Sequence, residues 1–152
     1  MRGKENGMTK QDRLLLENGY KDTDTFRYHN RNPNGLITSD CSTRTICEAL
    51  GITYGEAIDL QSDCAKRTYI GLTDADLIET ILLEHGFKKV AIKAVASGGR
   101  RENAGRMAKR LATGDAVLVM RVANHFTVAK KGQVLDVWNC TGKTVYRAFI
   151  KG

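Results

Sequence analysis

The sequence contains a cysteine at a predicted helix start, Cys41, and a histidine at a predicted strand start, His125, which together could perform thiol chemistry. Cys41 follows Asp40, a good N-cap for a helix over Cys41–Leu50. Free backbone N–H groups and the helix dipole stabilise a thiolate there and offer donors to an oxyanion. An imidazole such as His125 is the usual base for a cysteine nucleophile. The competing interpretation is structural, with Cys41 filling core space and His125 an ordinary strand residue.

A third member follows from the geometry of a predicted hairpin whose turn is Lys131-Gly132. If this turn has two residues, His125 and Asp136 are diagonal neighbours on one face of the sheet. The carboxylate could then orient the imidazole. A three-residue loop would reverse the parity and favour Asn139 instead. The sequence leaves both alternatives open.

The other three cysteines, Cys47, Cys64 and Cys140, do not form a recognisable metal or disulfide pattern. No gap between cysteines has the short spacing of a structural zinc site. No secretion signal precedes them, so a disulfide framework is not expected. We therefore predict free thiols, no metal and no cofactor.

Hydrophobic periodicity and turn residues predict the elements that must position these side chains. Helices are predicted at residues 9–18, at Cys41–Leu50 before Gly51, from Thr53 to about Arg67, from Thr73 to Gly86 and at Asn103–Ala112. Strands are predicted at residues 26–28, 90–95, 116–120, 126–130, 133–138 and 144–150, with a loop at residues 97–99. Helices followed by an antiparallel sheet indicate an α+β fold. The helices that carry the nucleophile are expected to pack on a C-terminal antiparallel sheet.

The order of cysteine, histidine and carboxylate resembles that of papain-like cysteine peptidases. The segment Asp40–Gly51 resembles their nucleophile helix, and Asn124–Asp136 is similar to the hairpin of peptidases that trim double-glycine leaders. Small papain-like proteins of phages and bacteria carry three similar blocks in the same order. In this chain the blocks are Asn30-Arg-Asn-Pro33, Asp40-Cys41 and Asp136-Val-Trp138, and the resemblance covers residues from about 26 to 150.

The resemblance implies a papain-like fold in which Cys41 is the nucleophile, His125 the base and then the acid, and Asp136 the group that orients the imidazole. The backbone N–H of Cys41 would supply one oxyanion donor. Papain-like enzymes usually add a glutamine several residues before the cysteine, which this sequence lacks. Asn32 or Asn30 is the candidate replacement, with a structural role in a turn as the alternative.

Length and composition indicate one globular domain. The chain has 152 residues, of which 41% are hydrophobic and 27% charged. We expect a single papain-like domain over residues 8–152 and a flexible extension over residues 1–7, with Met8 as a second candidate start. No apolar run approaches the ~18–20 residues of a membrane span, and the first residues are polar. The expected location is the cytoplasm of a bacterial host, or a virion if a phage encodes the protein.

The charge balance favours acidic partners, because 24 Lys and Arg residues against 17 acidic residues give a net charge of +7. The candidate partner-binding residues lie in a glycine-rich loop and the helix after it: Arg100, Arg101, Arg106, Lys109 and Arg110. The alternative for this cluster is a solvated surface. The predicted function is a cysteine-dependent peptidase, isopeptidase or amidase acting on a peptide or protein substrate. Two alternatives remain: a silent papain-like module that binds nucleic acid or a capsid component, and a transglutaminase- or acyltransferase-like enzyme with the same triad.

Overall fold

The computed structural model describes residues 21–92, 94–95 and 100–152, and excludes the side chains of residues 94, 95 and 100. The predicted helix at residues 9–18, the extension at residues 1–7 and the loop at residues 97–99 lie outside these residues. Within the described ranges the helices are α1 Cys41–Leu50, α2 Tyr54–Thr68, α3 Ala75–Glu84 and α4 Ala104–Leu111. The strands are β1 Phe26–Tyr28, β2 Lys88–Lys89, β3 Ala94–Val95, β4 Arg100–Arg101, β5 Val117–Val122, β6 His125–Lys130, β7 Gln133–Asp136 and β8 Arg147–Lys151.

The helices begin and end mostly where their capping residues predict. Thr53 and Glu56 form a capping box at the start of α2, and the Asn103 side chain accepts from the Arg106 N–H at the start of α4. Gly51 ends α1 at a φ of 65°, a conformation that glycine adopts without a Cβ penalty. The predicted cap of α3 is wrong by one residue, since Asp74 rather than Thr73 caps it. Boundary errors of this size are expected when adjacent residues can both cap.

A six-stranded sheet in the order β1-β7-β6-β5-β8-β2 forms the centre of the fold. Strand β1 runs parallel to β7, and all other neighbouring strands of this sheet are antiparallel. The predicted α+β class is confirmed, whereas a purely antiparallel C-terminal sheet is wrong because the N-terminal strand β1 completes one edge. The predicted strand at residues 90–95 is confirmed only at its end, as β3, since residues 90–92 lie between β2 and β3. The last strand begins at Arg147, three residues later than the predicted residue 144.

Apolar side chains on the two faces of the sheet form two cores. On β5, Val119 packs with α1, α2 and α3, whereas Leu118 and Met120 pack with α4 on the opposite face. The apolar stripe of α3 is buried in the first core: Leu77, Ile78, Ile81 and Leu82. The helix that carries Cys41 and the basic helix α4 therefore lie on opposite sides of the sheet. None of the helices in the described ranges is long and apolar enough to cross a membrane.

Glu48 ties α1 to the loop before it and to the sheet. Its Oε1 lies 2.9 Å from His29 Nε2 and 2.9 Å from Arg31 Nη1, and its Oε2 lies 2.6 Å from Lys130 Nζ. Burial alone would raise the pKa of this carboxyl group, but the bonds to Lys130 and Arg31 and the interaction with His29 lower it to about 2. Glu48 therefore holds α1 against β6 as a charged group.

α4 approaches the loop after β7 so closely that a glycine is needed. A Cβ on Gly105 would lie 3.0 Å from Thr141 Cβ and 3.3 Å from the Thr141 carbonyl oxygen. The Gly105 N–H also donates to that oxygen at 2.9 Å. Gly105 thus sets the distance between α4 and the segment that carries Cys140.

Candidate active site

Cys41 is the first residue of α1 and is half-buried, whereas Cys47, Cys64 and Cys140 are buried. Burial alone would raise the pKa of the Cys41 thiol. Hydrogen bonds from the His125 side chain and the Phe126 backbone N–H outweigh this effect, and nearby cations add to them, so that the pKa lies below its ordinary value. These interactions favour a thiolate at the start of the helix.

The hairpin β6–β7 brings His125 and Asp136 together. Lys131 and Gly132 have φ values of 50° and 78°, and Lys130 pairs with Gln133, so the turn has two residues. His125 Nε2 lies 2.6 Å from Asp136 Oδ2. The predicted proximity of His125 and Asp136 is therefore confirmed, and the role of Asp136 in orienting the imidazole stays a prediction. Asn139 takes another place, where its Oδ1 accepts from the backbone N–H and the hydroxyl of Thr141.

The environment of His125 favours the imidazolium. Burial would lower its pKa, but bonds to Asp136, Cys140 and Cys41 and the charge of Asp136 raise it to about 11. Because Nε2 is bonded to Asp136, Nδ1 is the ring nitrogen left to exchange a proton with Cys41. The ring of Trp138 meets the imidazole edge-on, with centroids 5.0 Å apart.

Both oxygens of the Asp136 carboxylate accept hydrogen bonds, and the residue is only 1% exposed. Its Oδ1 accepts from the Val137 backbone N–H at 2.7 Å and from Arg44 Nη1 at 3.0 Å. Burial would raise its pKa, but the bond to His125 and the cations of His125 and Arg44 lower it. Asp136 is thus an ionised carboxylate between two cations.

Asp40 occupies the N-cap position of α1, but its side chain makes no capping hydrogen bond. It binds Arg44 instead, with Arg44 Nε 2.7 Å from Oδ1. Its Oδ2 accepts from the Tyr54 hydroxyl at 2.8 Å and from Asn32 Nδ2 at 3.1 Å. The predicted N-cap position of Asp40 is confirmed, but its side chain makes no capping bond because a buried guanidinium one helical turn away competes for the carboxylate. Arg44, 8% exposed, therefore joins Asp40 to Asp136.

The two asparagines proposed as oxyanion donors lie in the loop before α1. The Asn32 amide donates to Asp40, and Asn30 Nδ2 donates to the Leu36 carbonyl oxygen at 3.0 Å. Their side-chain oxygens accept hydrogen bonds from backbone N–H groups of the loop. Asn30 Oδ1 accepts from the Asn32 N–H at 3.0 Å, and Asn32 Oδ1 accepts from the Asn34 N–H at 2.9 Å. These contacts favour the turn interpretation, and the oxyanion role stays a prediction.

A cleft of about 500 Å³ exposes the thiol and the imidazole together. Its walls come from the start of α1, the start of α3, one residue of α2 and the β5–β6 turn. Gln61 of α2 lies in the wall, and its Oε1 accepts from the Thr43 hydroxyl at 2.7 Å. Arg121 and Asn124 also line the cleft. Sequence reasoning missed Gln61 and Arg121, because no motif marks residues that only the tertiary fold brings to a cleft.

Cys140 lies behind the site, and its Sγ is 3.9 Å from Asp136 Oδ2. One ligand atom each of His125, Asp136 and Cys140 lies within 4.8 Å of the others. Two nitrogen or oxygen ligands of a tetrahedral Zn²⁺ lie about 3.3 Å apart, whereas the His125–Asp136 contact is 2.6 Å. In this arrangement the three groups are hydrogen-bonded to one another. Burial raises the pKa of the Cys140 thiol and keeps it protonated.

Three of the basic residues predicted to bind a partner belong to α4, which lies on the far side of the sheet from α1. Arg106, Lys109 and Arg110 are exposed on α4, while Met107 is buried, as the helical spacing predicts. Arg110 Nη2 lies 2.5 Å from Glu102, and Lys109 Nζ lies 3.4 Å from Asp24.

The two remaining residues of the basic cluster lie in β4. Arg101 lies over the ring of Tyr146, with its guanidinium carbon 5.9 Å from the centroid. Arg100 precedes it, and its side chain is outside the described part. Three of the five predicted cations thus have partners within the chain: Arg101, Lys109 and Arg110.

Comparison with protein-family models, with curated proteins and with solved structures finds no match to this chain. Function is therefore inferred from the geometry of the site.

Proposed function

We propose that this chain is a papain-like, cysteine-dependent hydrolase of amide or isopeptide bonds that uses Cys41, His125 and Asp136. The observation that carries the proposal is one cleft holding a helix-start thiol next to an imidazole whose other nitrogen is bonded to a buried carboxylate. Nucleophile, base and orienting group in contact are the features by which such a triad is recognised.

In the first half of the reaction, the Cys41 thiolate attacks the carbonyl carbon, a C–S bond forms and the carbonyl oxygen becomes an oxyanion. The His125 imidazolium gives its Nδ1 proton to the leaving nitrogen, and the C–N bond breaks. An acyl-thioenzyme and a free amine result. Asp136 keeps the ring oriented throughout and stabilises its positive charge.

In the second half, neutral His125 takes a proton from water, and the oxygen attacks the thioester carbon. The C–S bond breaks, the acid leaves, and the thiolate and imidazolium are restored. The backbone N–H of Cys41 is one oxyanion donor, because the first N–H groups of a helix have no partner within it. Gln61 is the candidate for the second, since it lines the same cleft and its oxygen, not its nitrogen, is bonded to Thr43.

The proposal is tested by trapping the acyl-enzyme. The wild type is treated with p-nitrophenyl acetate, and intact mass and peptide mapping follow one acetyl group on Cys41 and its loss to water. Cys41→Ala should not be acylated, whereas Cys64→Ala, which removes a buried thiol of α2, should behave as the wild type. A folded wild type that is never acylated on Cys41 would overturn the proposal.

The same experiment separates a hydrolase from a transferase. With glycinamide present, a transferase passes most of the acetyl group to the amine, while a hydrolase still releases mainly acetate. A peptide library read by mass spectrometry then tests whether amide bonds are cleaved, with Cys41→Ala as the blank.

The net charge of +7 and the exposed cations of α4 favour one alternative, a module that binds a polyanion and has no reaction of its own. This module would bind a polyanion equally well with Cys41 or Ala at that position and would not be acylated.

A further inference from the structure

Two arginines lie side by side next to the cleft. Arg121 of β5 pairs with Arg147 of β8 on one side and with Phe126 of β6 on the other. Directly opposed residues share a face of the sheet, so the two guanidinium groups lie on one face, and like charges in this arrangement repel each other. An anion between them is needed to hold both.

The residue that supplies this anion is Glu79 of α3, which is 7% exposed. Its Oε2 lies 2.7 Å from Arg147 Nε but 3.7 Å from Arg121 Nη1. One carboxylate thus faces two cations, and the shorter contact goes to Arg147. Arg121 is left with a long contact, a side chain 39% exposed and a place in the cleft wall.

The other charged groups in the wall have close partners within the chain. Asp40 is paired with Arg44, and the Cys41 thiolate is next to the His125 imidazolium. The acidic residues at the start of α3, Asp74 and Asp76, are not among the lining residues. Of the two cations in the wall, His125 has a carboxylate oxygen at 2.6 Å, whereas Arg121 lies 3.7 Å from Glu79 and shares that carboxylate with Arg147.

We propose that Arg121 binds a carboxylate of the substrate next to the reacting carbonyl group, so that the site selects acidic peptides or free C-termini. This inference rests on the proposed function of Cys41. A guanidinium presents two parallel N–H donors to a carboxylate, and a half-exposed cation of this kind keeps more of its attraction than one in open solvent. The substrate carboxylate takes the place opposite Arg121 that Glu79 fills only at 3.7 Å.

The test uses two alkylating agents of nearly equal size, anionic iodoacetate and neutral iodoacetamide. The measured quantity is the ratio of their rate constants at Cys41. In Arg121→Gln this ratio should fall by about three- to tenfold, because only the anionic reagent loses an attraction. Arg121→Lys keeps the charge and should stay close to the wild type. Arg27→Gln is the matched control, because Arg27 is exposed on the edge strand β1 and should leave the ratio unchanged.

Peptide protection distinguishes the two sources of the carboxylate. If Arg121 binds side-chain carboxylates, a peptide with an internal Glu and an amidated C-terminus should slow the reaction of iodoacetamide with wild-type Cys41. If Arg121 binds the terminal carboxylate, a peptide with no acidic side chain and a free C-terminus should slow it. In either case the protection should weaken in Arg121→Gln.

An unchanged reagent ratio in folded Arg121→Gln overturns the role of Arg121 while leaving Cys41 as the nucleophile. A wild-type Cys41 that reacts with neither reagent overturns the proposed function itself. The two failures are therefore separate.

Discussion

The interaction between Cys41 and His125 predicts how the alkylation rate of the thiol depends on pH. The pKa of Cys41 is lowered by His125, so wild-type Cys41 carries a larger thiolate fraction at pH 6 than an ordinary thiol and loses that charge as pH falls through the lowered pKa. The variant His125→Asn removes the cation and its hydrogen bond. Its thiol should return towards an ordinary pKa or rise above it, since burial alone raises the value.

The size of the effect follows from the thiolate fraction. For a thiol with a pKa of about 8.5, the thiolate fraction rises about 75-fold between pH 6 and pH 8. A thiol that is already ionised at pH 6 gains almost nothing over the same interval. The rate at one pH is a poor measure, because a thiolate of lower pKa is also a weaker nucleophile. The ratio of the rates at pH 8 and pH 6 avoids this difficulty.

The assay is mass-mapped iodoacetamide labelling with the rate at Cys41 measured from pH 5 to pH 9. The wild type should give a shallower profile than His125→Asn, because only its thiol has the lowered pKa. Cys64→Ala serves as the control and should retain the shallow profile, since its removed thiol is buried on α2. Equally steep profiles in wild type and His125→Asn would refute the thiolate–imidazolium pair.

Three further predictions concern the groups around the site. Asp136→Asn should lower turnover about 10³–10⁴-fold. It should also lower the free energy of unfolding by about 2–3 kcal/mol, because it leaves the buried guanidinium of Arg44 with one anion fewer. Asn139→Ala, measured in the same assays, should lower turnover and stability far less. Glu48→Gln should destabilise the fold by about 1–3 kcal/mol at pH 6. In urea unfolding, that difference should fall by about half between pH 5 and pH 3. The folded-state pKa of Glu48 is lowered, so its carboxylate stabilises the fold fully above the unfolded-state pKa, and this stabilisation is lost as pH falls through the folded-state pKa. Gly105→Ala should lower the unfolding temperature at a net cost of about 1 kcal/mol, whereas Gly55→Ala, whose Cβ meets nothing within 4 Å, should gain about 0.5 kcal/mol; a stabilised Gly105→Ala would contradict the close packing of α4.

The hairpin that joins His125 to Asp136 could be predicted because its determinants are local. A lysine and a glycine at positive φ make a two-residue turn, and the period of a strand then fixes which side chains share a face. The same is true of α1 and α2, whose stop and capping residues lie next to them in the chain. Local chemistry decides these elements, so the sequence is sufficient.

The hydrogen-bond partners of the Asp40 side chain could not be predicted, because the competing interaction is not local. A carboxylate before a helix normally caps it, but here a tyrosine from α2, an asparagine from the preceding loop and Arg44 bind it instead. Arg44 itself sits on the buried side of α1 only because Asp136 arrives there from a strand 92 residues away. An arginine in a helical sequence usually indicates a solvated face. Its burial depends on two anions that only the tertiary fold supplies.

These contacts give the site a consistent electrostatic design. Asp40, Arg44, Asp136, His125 and Cys41 form a series in which anion and cation alternate, each in contact with the next. A buried charge is tolerated only when its neighbours compensate it, so each member stabilises the charged form of the one beside it. Arg44 holds Asp136 ionised, Asp136 holds His125 protonated, and His125 holds Cys41 as a thiolate. The first and last members of this series, Asp40 and Cys41, are adjacent in the sequence. Asp40 is the buried end of the series, and Cys41 is the reactive end, which is open to the cleft.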